Sequence, residues 1–344
     1  MDYDEVYFAD ACEPLEEAVA NGEVELRTLA RGTYPGTPLP AGVAEGIRTV
    51  GYWNANKPQR WGLDWHRNEG IEITLLDRGA LTFSTRESSW DLRSGEITVT
   101  RPWQEHCVGN PLIGASHLAW IIVDVGVRRP HQQWNWPSWI GLSRGDLTRL
   151  TSHLQHNEKP VWAGSPEIRA AFNALQKAAT HPDSLSIESE LQLATGQLLL
   201  ALLRTFDSQD MTADEGLTSP LRAVEMYLHE LDSHLDHLWT LPEMARACGL
   251  GRSQFSGYVR QITNMSPVEF LTHRRILRAA SDLQSNRSRS ITDIAVGCGF
   301  QSSQYFATTF RRHYGISPRE FRNGGLDTQA ATTEPRTGEI LTVS

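Results

Sequence analysis

Between residues 45 and about 125, apolar and polar positions alternate with a period of two, in short runs broken by turn signals. Ile71-Glu72-Ile73-Thr74-Leu75 leads through Asp77-Arg78-Gly79 to Ala80-Leu81-Thr82-Phe83. Ser94-Gly95-Glu96 then precedes Ile97-Thr98-Val99-Thr100, and Leu118 to Val123 forms another apolar run. Several short strands at this spacing predict an antiparallel barrel or jelly roll. From Ser143 the period changes to that of a helix. Ser186 to Phe206 sets Leu191, Leu198, Leu199, Leu202 and Leu203 on one broad face, which suits either cover for the barrel or contact with a second chain. Residues 207 to 217 are polar, acidic and aperiodic, as a linker is, and residues 324 to 344 read as a disordered tail.

A compound helical pattern between them occurs twice. LPEMARACGL from Leu241 answers ITDIAVGCGF from Ile291 at an offset of about 50 residues. One extra residue in the second turn then shifts the offset, so that Phe255 matches Phe306, Val259 matches Phe310, and Phe270 matches Phe321. Ser266-Pro267 matches Ser317-Pro318 in the same register. Thr240 with Glu243 has the spacing of a capping box, and Ser290 with Asp293 repeats it with Asp for Glu. Each box starts a scaffold helix that ends at Gly249 or Gly299, the residue type best able to take a positive φ. The chain then turns into a second helix, roughly Arg252 to Ile262 and Ser303 to His313, and Ser-Pro opens a closing helix. Two helix-turn-helix units in tandem are a device for reading DNA.

Charge agrees once it is divided. The 344-residue chain carries −9, yet Thr218 to Asn323 holds 13 Arg, no Lys and nine Asp or Glu, a net of +4. The remainder carries −13, so phosphate neutralisation falls to arginines of the repeat unit. No apolar run approaches the roughly 20 residues that cross a bilayer, and the acidic N-terminus lacks the basic start of a secretory signal. A cytoplasmic protein without a membrane partner is expected. Cys12, Cys107, Cys248 and Cys298 show no metal or disulfide spacing, and Cys248 and Cys298 read as small buried thiols at equivalent repeat positions.

With Phe255, Val259, Phe306 and Phe310 as anchors, the residues left to face DNA are Arg252, Ser253, Gln254, Ser256, Gly257 and Arg260 in the first unit. In the second they are Ser302, Ser303, Gln304, Ala307, Thr308, Arg311 and Arg312. Gln bridges adenine N6 and N7, Thr offers a hydroxyl and a methyl to thymine, and the arginines clamp phosphates. Gly257, in mid-helix, costs about 1 kcal/mol relative to Ala, so either the backbone comes close to DNA there or this helix reads few bases.

Ser290 to Arg322 resembles the signature of the AraC/XylS family of bacterial transcription regulators. It matches at Ile294-Ala295, Gly299-Phe300, Ser302, Tyr305-Phe306, Phe310, Gly315, Ser317-Pro318 and Phe321-Arg322. With the weaker first unit the resemblance covers about a third of the chain. It implies two helix-turn-helix units joined by a long helix, here about Val268 to Gln284, that enter successive major grooves on one face of an operator. Asn264 stands where the family usually has Gly, and Asn is the next most tolerant residue there.

The resemblance also implies a cupin-like sensor ahead of the DNA-binding unit. His66 and Glu72, with six residues from Glu72 to Gly79, look like one worn cupin motif, and Gly95, Pro102, His106 and Asn110 like the other. Asp64 occupies the first His position. Asp64, His66, Glu72 and His106 are ligand types for a divalent metal, but the expectation is a retained barrel without metal or other cofactor, since turn geometry explains Gly79, Gly95 and Pro102. Ten of the 11 tryptophans precede residue 217, and Trp faces stack on the C–H faces of sugars. Arg48, Trp65, His66, Glu72, Trp103 and His106 are the candidate ligand contacts, and a sugar is the expected effector.

The whole predicts two domains. A mainly β, cupin-like barrel with C-terminal helices (1–206) senses a small molecule, and a linker (207–217) joins it to an all-α domain of two helix-turn-helix units (218–323). The expected protein is a sequence-specific transcription regulator and not an enzyme. Its expected partners are double-stranded operator DNA, a second copy of itself and RNA polymerase. The alternative is a metal-dependent cupin enzyme fused to a DNA-binding module.

Overall fold

The structure, a computed structural model, describes residues 12–109, 112–209, 213–286 and 288–324. Asn110 and all but the first residue of the expected tail lie outside them. The chain divides into two compact units, Met1–Ala223 and Val224–Ser344.

The first unit opens with the short helix α1 (Glu13–Ala20) and is then built mainly of strands. These are β1 (Glu25–Ala30), β2 (Thr37–Pro38), β3 (Ile47–Ala55), β4 (Leu63–His66), β5 (Ile71–Thr85), β6 (Ser89–Arg93), β7 (Glu96–Thr100), β8 (His106–Val108) and β9 (Ser116–Val123). Helix α2 (Arg144–His156), strand β10 (Val161–Ala163), and helices α3 (Pro166–Thr180) and α4 (Ile187–Asp207) complete it. The order β10-β7-β5-β9-β3-β1-β2 forms the main sheet, while β4 pairs with β8, and both β6 and β8 pair with β5.

Strand β5 makes this arrangement fold over. Its first half pairs with β7 and its second half with β6 and β8, while β9 runs along it. The sequence pattern predicts a turn at Asp77-Arg78-Gly79, yet the chain continues as one strand with a register shift between Leu76 and Arg78. A bulge at that point bends the strand without ending it. Gly79 has φ +91°, and a Cβ there would lie 2.0 Å from the Ala115 carbonyl oxygen.

Both faces of the central strands are covered. Inward-facing Leu76, Phe83, Leu118, Trp120 and Ile122 form an interior cluster with Trp53, Val108 and the α1 residues Leu15 and Ala18. On the other face Ile71, Ile73, Leu75 and Ile121 are buried, and α3 packs across β1, β3, β5 and β9. That double burial explains why Leu118 to Val123 is a continuous apolar run. The leucine stripe of α4 (Leu191, Leu198, Leu199, Leu202, Leu203) is buried within this unit, where α4 packs on α3 and α2. Leu193, on the other side of α4, stays exposed and lines an open groove with Trp139, Leu142, Gly196 and Leu200.

Helix α5 (Pro220–Glu230) spans the division between the units. The second unit continues through α6 (Leu241–Ala247), α7 (Arg252–Thr263), α8 (Pro267–Ser285), α9 (Ile291–Gly297), α10 (Ser303–Tyr314) and α11 (Pro318–Arg322). Thr240-Glu243, Ser266-Glu269 and Ser317-Glu320 are complete capping boxes. Ser290 accepts from Asp293 N, which is half of the device, because Asp is too short to reach back as Glu does. Gly249, Gly299, Asn264 and Gly315 all have positive φ, between +59° and +79°. Helix α8 backs both repeats, contacting α7 on one side and α9, α10 and α11 on the other.

Gly299 and Gly315 share a φ close to +78° but differ in surroundings. A Cβ at Gly299 would meet Leu235 O at 2.3 Å and Arg275 Nη2 at 2.6 Å, whereas at Gly315 nothing lies within 4 Å. Gly315→Ala therefore costs only the left-handed penalty of about 1–2 kcal/mol, and Gly299→Ala about 3 kcal/mol or more. Amide hydrogen exchange along α9 and α10 in the full chain measures both. Equal losses of protection would contradict the packing argument.

Candidate nucleic-acid interface and buried polar cluster

Each recognition helix is fastened by apolar side chains on one face. Phe255 and Val259 of α7 are fully buried, and the Phe255 ring meets Tyr227 edge-on at 5.8 Å. In α10, Phe306 and Phe310 join Phe300 and Phe321, with centroid separations of 5.1–5.5 Å along the chain Phe300–Phe306–Phe310–Phe321. Ile276, Ala279, Ala280 and Leu283 of α8 close the same core. Truncating one of these phenylalanines costs about 3–5 kcal/mol.

The opposite faces are open. Arg252, Ser253, Gln254, Gly257 and Arg260 of α7 are exposed and Ser256 is half-buried. Ser303, Gln304, Thr308, Arg311 and Arg312 of α10 are exposed and Ala307 is half-buried. With the 51-residue offset, Ser253, Ser256, Gly257 and Arg260 occupy the places of Gln304, Ala307, Thr308 and Arg311. The two helices thus present one geometry with different side chains, short on α7 at Ser253 and Gly257 and longer on α10 at Gln304 and Thr308. Ser302 is the N-cap of α10, and its hydroxyl accepts from Tyr305 N at 3.2 Å. Tyr305 pairs with an anchor in the sequence signature, yet it is exposed beside Gln304. Its outward register could have been read from buried Phe306 following it.

The arginines of this face are available. Among the described residues Arg252, Arg260, Arg311 and Arg312 make no side-chain hydrogen bond to the protein, whereas other arginines of the unit serve its structure. Arg274 donates to Asp232, and Arg275 donates to the carbonyls of Leu235 (2.9 Å) and His237 (2.6 Å). Guanidinium groups with open donors on an exposed helix face match phosphate oxygens.

In the first unit the candidate ligand residues divide. His66 and His106 are cross-strand partners on β4 and β8, with ring centroids 4.3 Å apart. His106 Nε2 lies 3.0 Å from Glu72 Oε2, a close approach that is not aligned as a hydrogen bond. Thr100 Oγ1 lies 3.5 Å from the same carboxylate oxygen. His66 Nδ1 is 2.6 Å from Asp64 O and His106 Nδ1 is 3.1 Å from Gln104 O. A carbonyl only accepts, so both Nδ1 atoms carry protons and each ring turns Nε2 outward. Burial, then the neighbouring His106, lowers His66 to about 4, so this ring is neutral near pH 7. Burial alone would raise the Glu72 carboxyl, but His106, His66 and Thr100 together hold it below its usual range.

Sequence reasoning missed three further polar groups of this unit. Tyr34 Oη donates to Asn68 Oδ1 at 3.3 Å, and burial first, then Glu69 and Glu72, raise the Tyr34 phenol far above its usual range. Asn68 Nδ2 and Trp61 Nε1 are buried with no hydrogen-bond partner. No periodicity marks them, because they sit in the loop segments between strands β1, β3, β4 and β5. The other candidates are engaged elsewhere: Arg48 with Asp124 at 2.6 Å and Glu69 at 3.2 Å, Trp103 with Glu158 at 2.7 Å, and Trp65 beneath Arg86 at 4.0 Å. Among the described residues no three His, Cys, Asp or Glu are grouped to hold a metal ion, and no helix is long and apolar enough to cross a membrane.

Known proteins share both the helical motif and much of the chain's length. A family model described as a helix-turn-helix domain matches residues 244–324. The virulence regulon transcriptional activator VirF of Yersinia enterocolitica is 37% identical over 273 residues, 75% of this chain and 90% of that protein. The HTH-type transcriptional regulator ExsA of Pseudomonas aeruginosa is 28% identical over 280 residues, 75% of this chain and 87% of that protein. Among solved structures, an apo form of ToxT of Vibrio cholerae covers 81% of this chain and 97% of its own at 12% identity, with a TM-score of 0.36.

The virtual Cβ of Gly257 meets nothing within 4 Å, so protein packing does not require glycine there. Gly257→Ala should stabilise free α7 by about 1 kcal/mol. If the helix backbone touches DNA, the same change weakens operator binding, and unchanged affinity would mean α7 stands off. Arg311→Ala should weaken binding to all sequences alike and lower the salt slope by about 1. Gln304→Ala should instead change preference at one base position, by about 1–3 kcal/mol. Identical sequence profiles for wild type and Gln304→Ala would refute a base-reading role.

Proposed function

Because the chain belongs to the AraC/XylS family of DNA-binding bacterial transcription regulators, we propose that it is a cytoplasmic one-component activator whose N-terminal unit senses a small molecule. The observation that carries this is the pair of equivalent open faces on α7 and α10, each backed by buried aromatics and carrying arginines that make no hydrogen bond to the protein. Arg252, Gln254, Arg260, Gln304, Thr308, Arg311 and Arg312 contact the operator, the arginines on phosphates. Its recruitment of RNA polymerase and the absence of an enzymatic step belong to the same reading.

Two copies act together. The groove beside exposed Leu193, with Leu142, Gly196 and Leu200, supports a homodimer formed through α4. Dimerisation adds avidity by raising the effective concentration of the second DNA-binding unit. A ligand bound in the sensor changes transcription only by favouring one arrangement of the two copies over another. The Trp-rich interior of the barrel supports a sugar as that ligand.

Selection of bound fragments from random duplexes, followed by in vitro transcription with RNA polymerase, tests the reading. The expected result is a preferred site protected in successive major grooves on one face, with more transcript when protein is added. Loss of sequence preference at all positions would sink it. For the dimer, Leu193→Glu should shift the full chain toward monomer in sedimentation, and an unchanged dimer would move the interface elsewhere.

A further inference from the structure

Two histidines of the second unit meet where α10 packs on α8, outside any hydrogen-bond network. His273 of α8 and His313 of α10 have ring centroids 5.0 Å apart, with the ring planes inclined at 58°. Among the described residues neither ring makes a hydrogen bond to the protein, although His313 also meets Tyr314 edge-on at 4.9 Å. His273 is half-buried and His313 exposed, so small ions reach the pair from solvent. Burial lowers both rings below the ordinary imidazole range, and His313 and then Arg274 lower His273 further. Both are therefore neutral near pH 7, and each keeps a lone pair on one nitrogen.

Geometry and chemistry narrow what those lone pairs suit. An imidazole nitrogen binds zinc at about 2.0–2.1 Å, so its ring centroid lies about 3.2 Å from the metal, and two such centroids lie about 5 Å apart at the tetrahedral angle. The observed separation matches that of two rings sharing one ion. Among the described residues no third His, Cys, Asp or Glu is grouped with the pair. Magnesium and calcium, which need oxygen ligands, are thereby disfavoured, and a cation that accepts imidazole nitrogen is favoured. Arg274, next to His273, is already paired with Asp232. His313 sits in the last turn of α10, where the negative end of the helix dipole favours a cation. Exposed Arg311 and Arg312 weaken that attraction, so the lone pairs, and not the local charge, must hold the ion.

We propose that His273 and His313 form a two-histidine site for zinc, or a divalent ion of similar chemistry, that ties the recognition helix α10 to the long helix α8. Water completes the coordination sphere, which makes the ion exchangeable and its binding weaker than that of a four-ligand structural site. The occupied site adds a cross-link to a contact otherwise made by apolar side chains, so it stabilises the helical unit as free ion rises. The site lies wholly within the second unit and does not depend on what the first unit senses.

Equilibrium dialysis of the full chain against zinc chloride, with a melting curve at each concentration, tests the site. One zinc ion per chain should bind with a dissociation constant on the order of 10 μM, weaker than a structural site, and saturation should raise the melting temperature. Magnesium and calcium at the same concentrations should leave the melting curve unchanged. His313→Gln replaces an exposed ring and should melt like the ion-free wild type. It should bind zinc at least about tenfold more weakly, a loss that even outer-shell changes cause. His273→Gln should lose as much, and His313→Gln carries the test alone if that variant does not fold. Copper(II) in place of zinc adds a direct signature, since its electron paramagnetic spectrum should show splitting from two nitrogens in wild type and from one in His313→Gln. No bound zinc, zinc retained at full affinity in His313→Gln, or an equal response to magnesium overturns the proposal.

Discussion

A recognition helix can meet a duplex only if the chain leaves the scaffold helix at a fixed angle, and one left-handed residue sets that angle. At Gly249 and Gly299 the backbone takes φ of +64° and +78°, which ends the scaffold helix and redirects the chain within a few residues. Everything beyond depends on it. The serine cap of α10, the seating of Phe306 and Phe310, and the direction of the open face all follow from where that turn delivers the chain. At Gly299 the constraint is doubled, because Leu235 O and the Arg275 guanidinium occupy the space a side chain would need. Arg275 in turn donates to the carbonyls of Leu235 and His237, so the turn, the long helix α8 and the segment that carries those carbonyls are fixed as one piece.

The first unit solves a different problem, that of burying both faces of a sheet. The bend of β5 at Leu76–Arg78 lets a single strand serve both sheets, with α3 behind it and tryptophans in front. A sheet covered on both sides has little room for polar groups. The Glu72 cluster is therefore costly, since an unpaired buried donor forfeits about 1–3 kcal/mol. Its cost is offset in part by Tyr34, Thr100 and the two backbone carbonyls that orient the histidine rings.

The helical unit was legible in the sequence almost to the residue, because caps, left-handed turns and Ser-Pro starts are local signals. Arg252–Thr263 and Ser303–Tyr314 differ by one residue from the helices expected. The sheet was less legible. The turn expected at Asp77-Arg78-Gly79 is a bulge, since turn residues mark both and only the partner strand decides between them. The leucines of α4 could face the barrel or a second chain, and burial within the unit, not periodicity, decided it. Of the candidate ligand contacts, His66, Glu72 and His106 come together, while Arg48 and Trp103 are engaged in ion-pair and hydrogen-bond networks with Asp124 and Glu158. Which charged residue already has a partner is a long-range fact that no local pattern carries.

The thiols beside the scaffold turns bear on the protein's chemistry in another way. Cys248 and Cys298 form no disulfide and are fully buried, and burial pushes the Cys298 thiol up to about 11. At neutral pH Cys298 is then held as the thiol and not as the thiolate, the form that reacts with peroxides and alkylating agents. The helical unit thus presents little nucleophilic sulfur to a stressed cell. A cysteine introduced on the open face of α10 would be the reactive one there, and a fluorophore could be attached to it with both native thiols left in place.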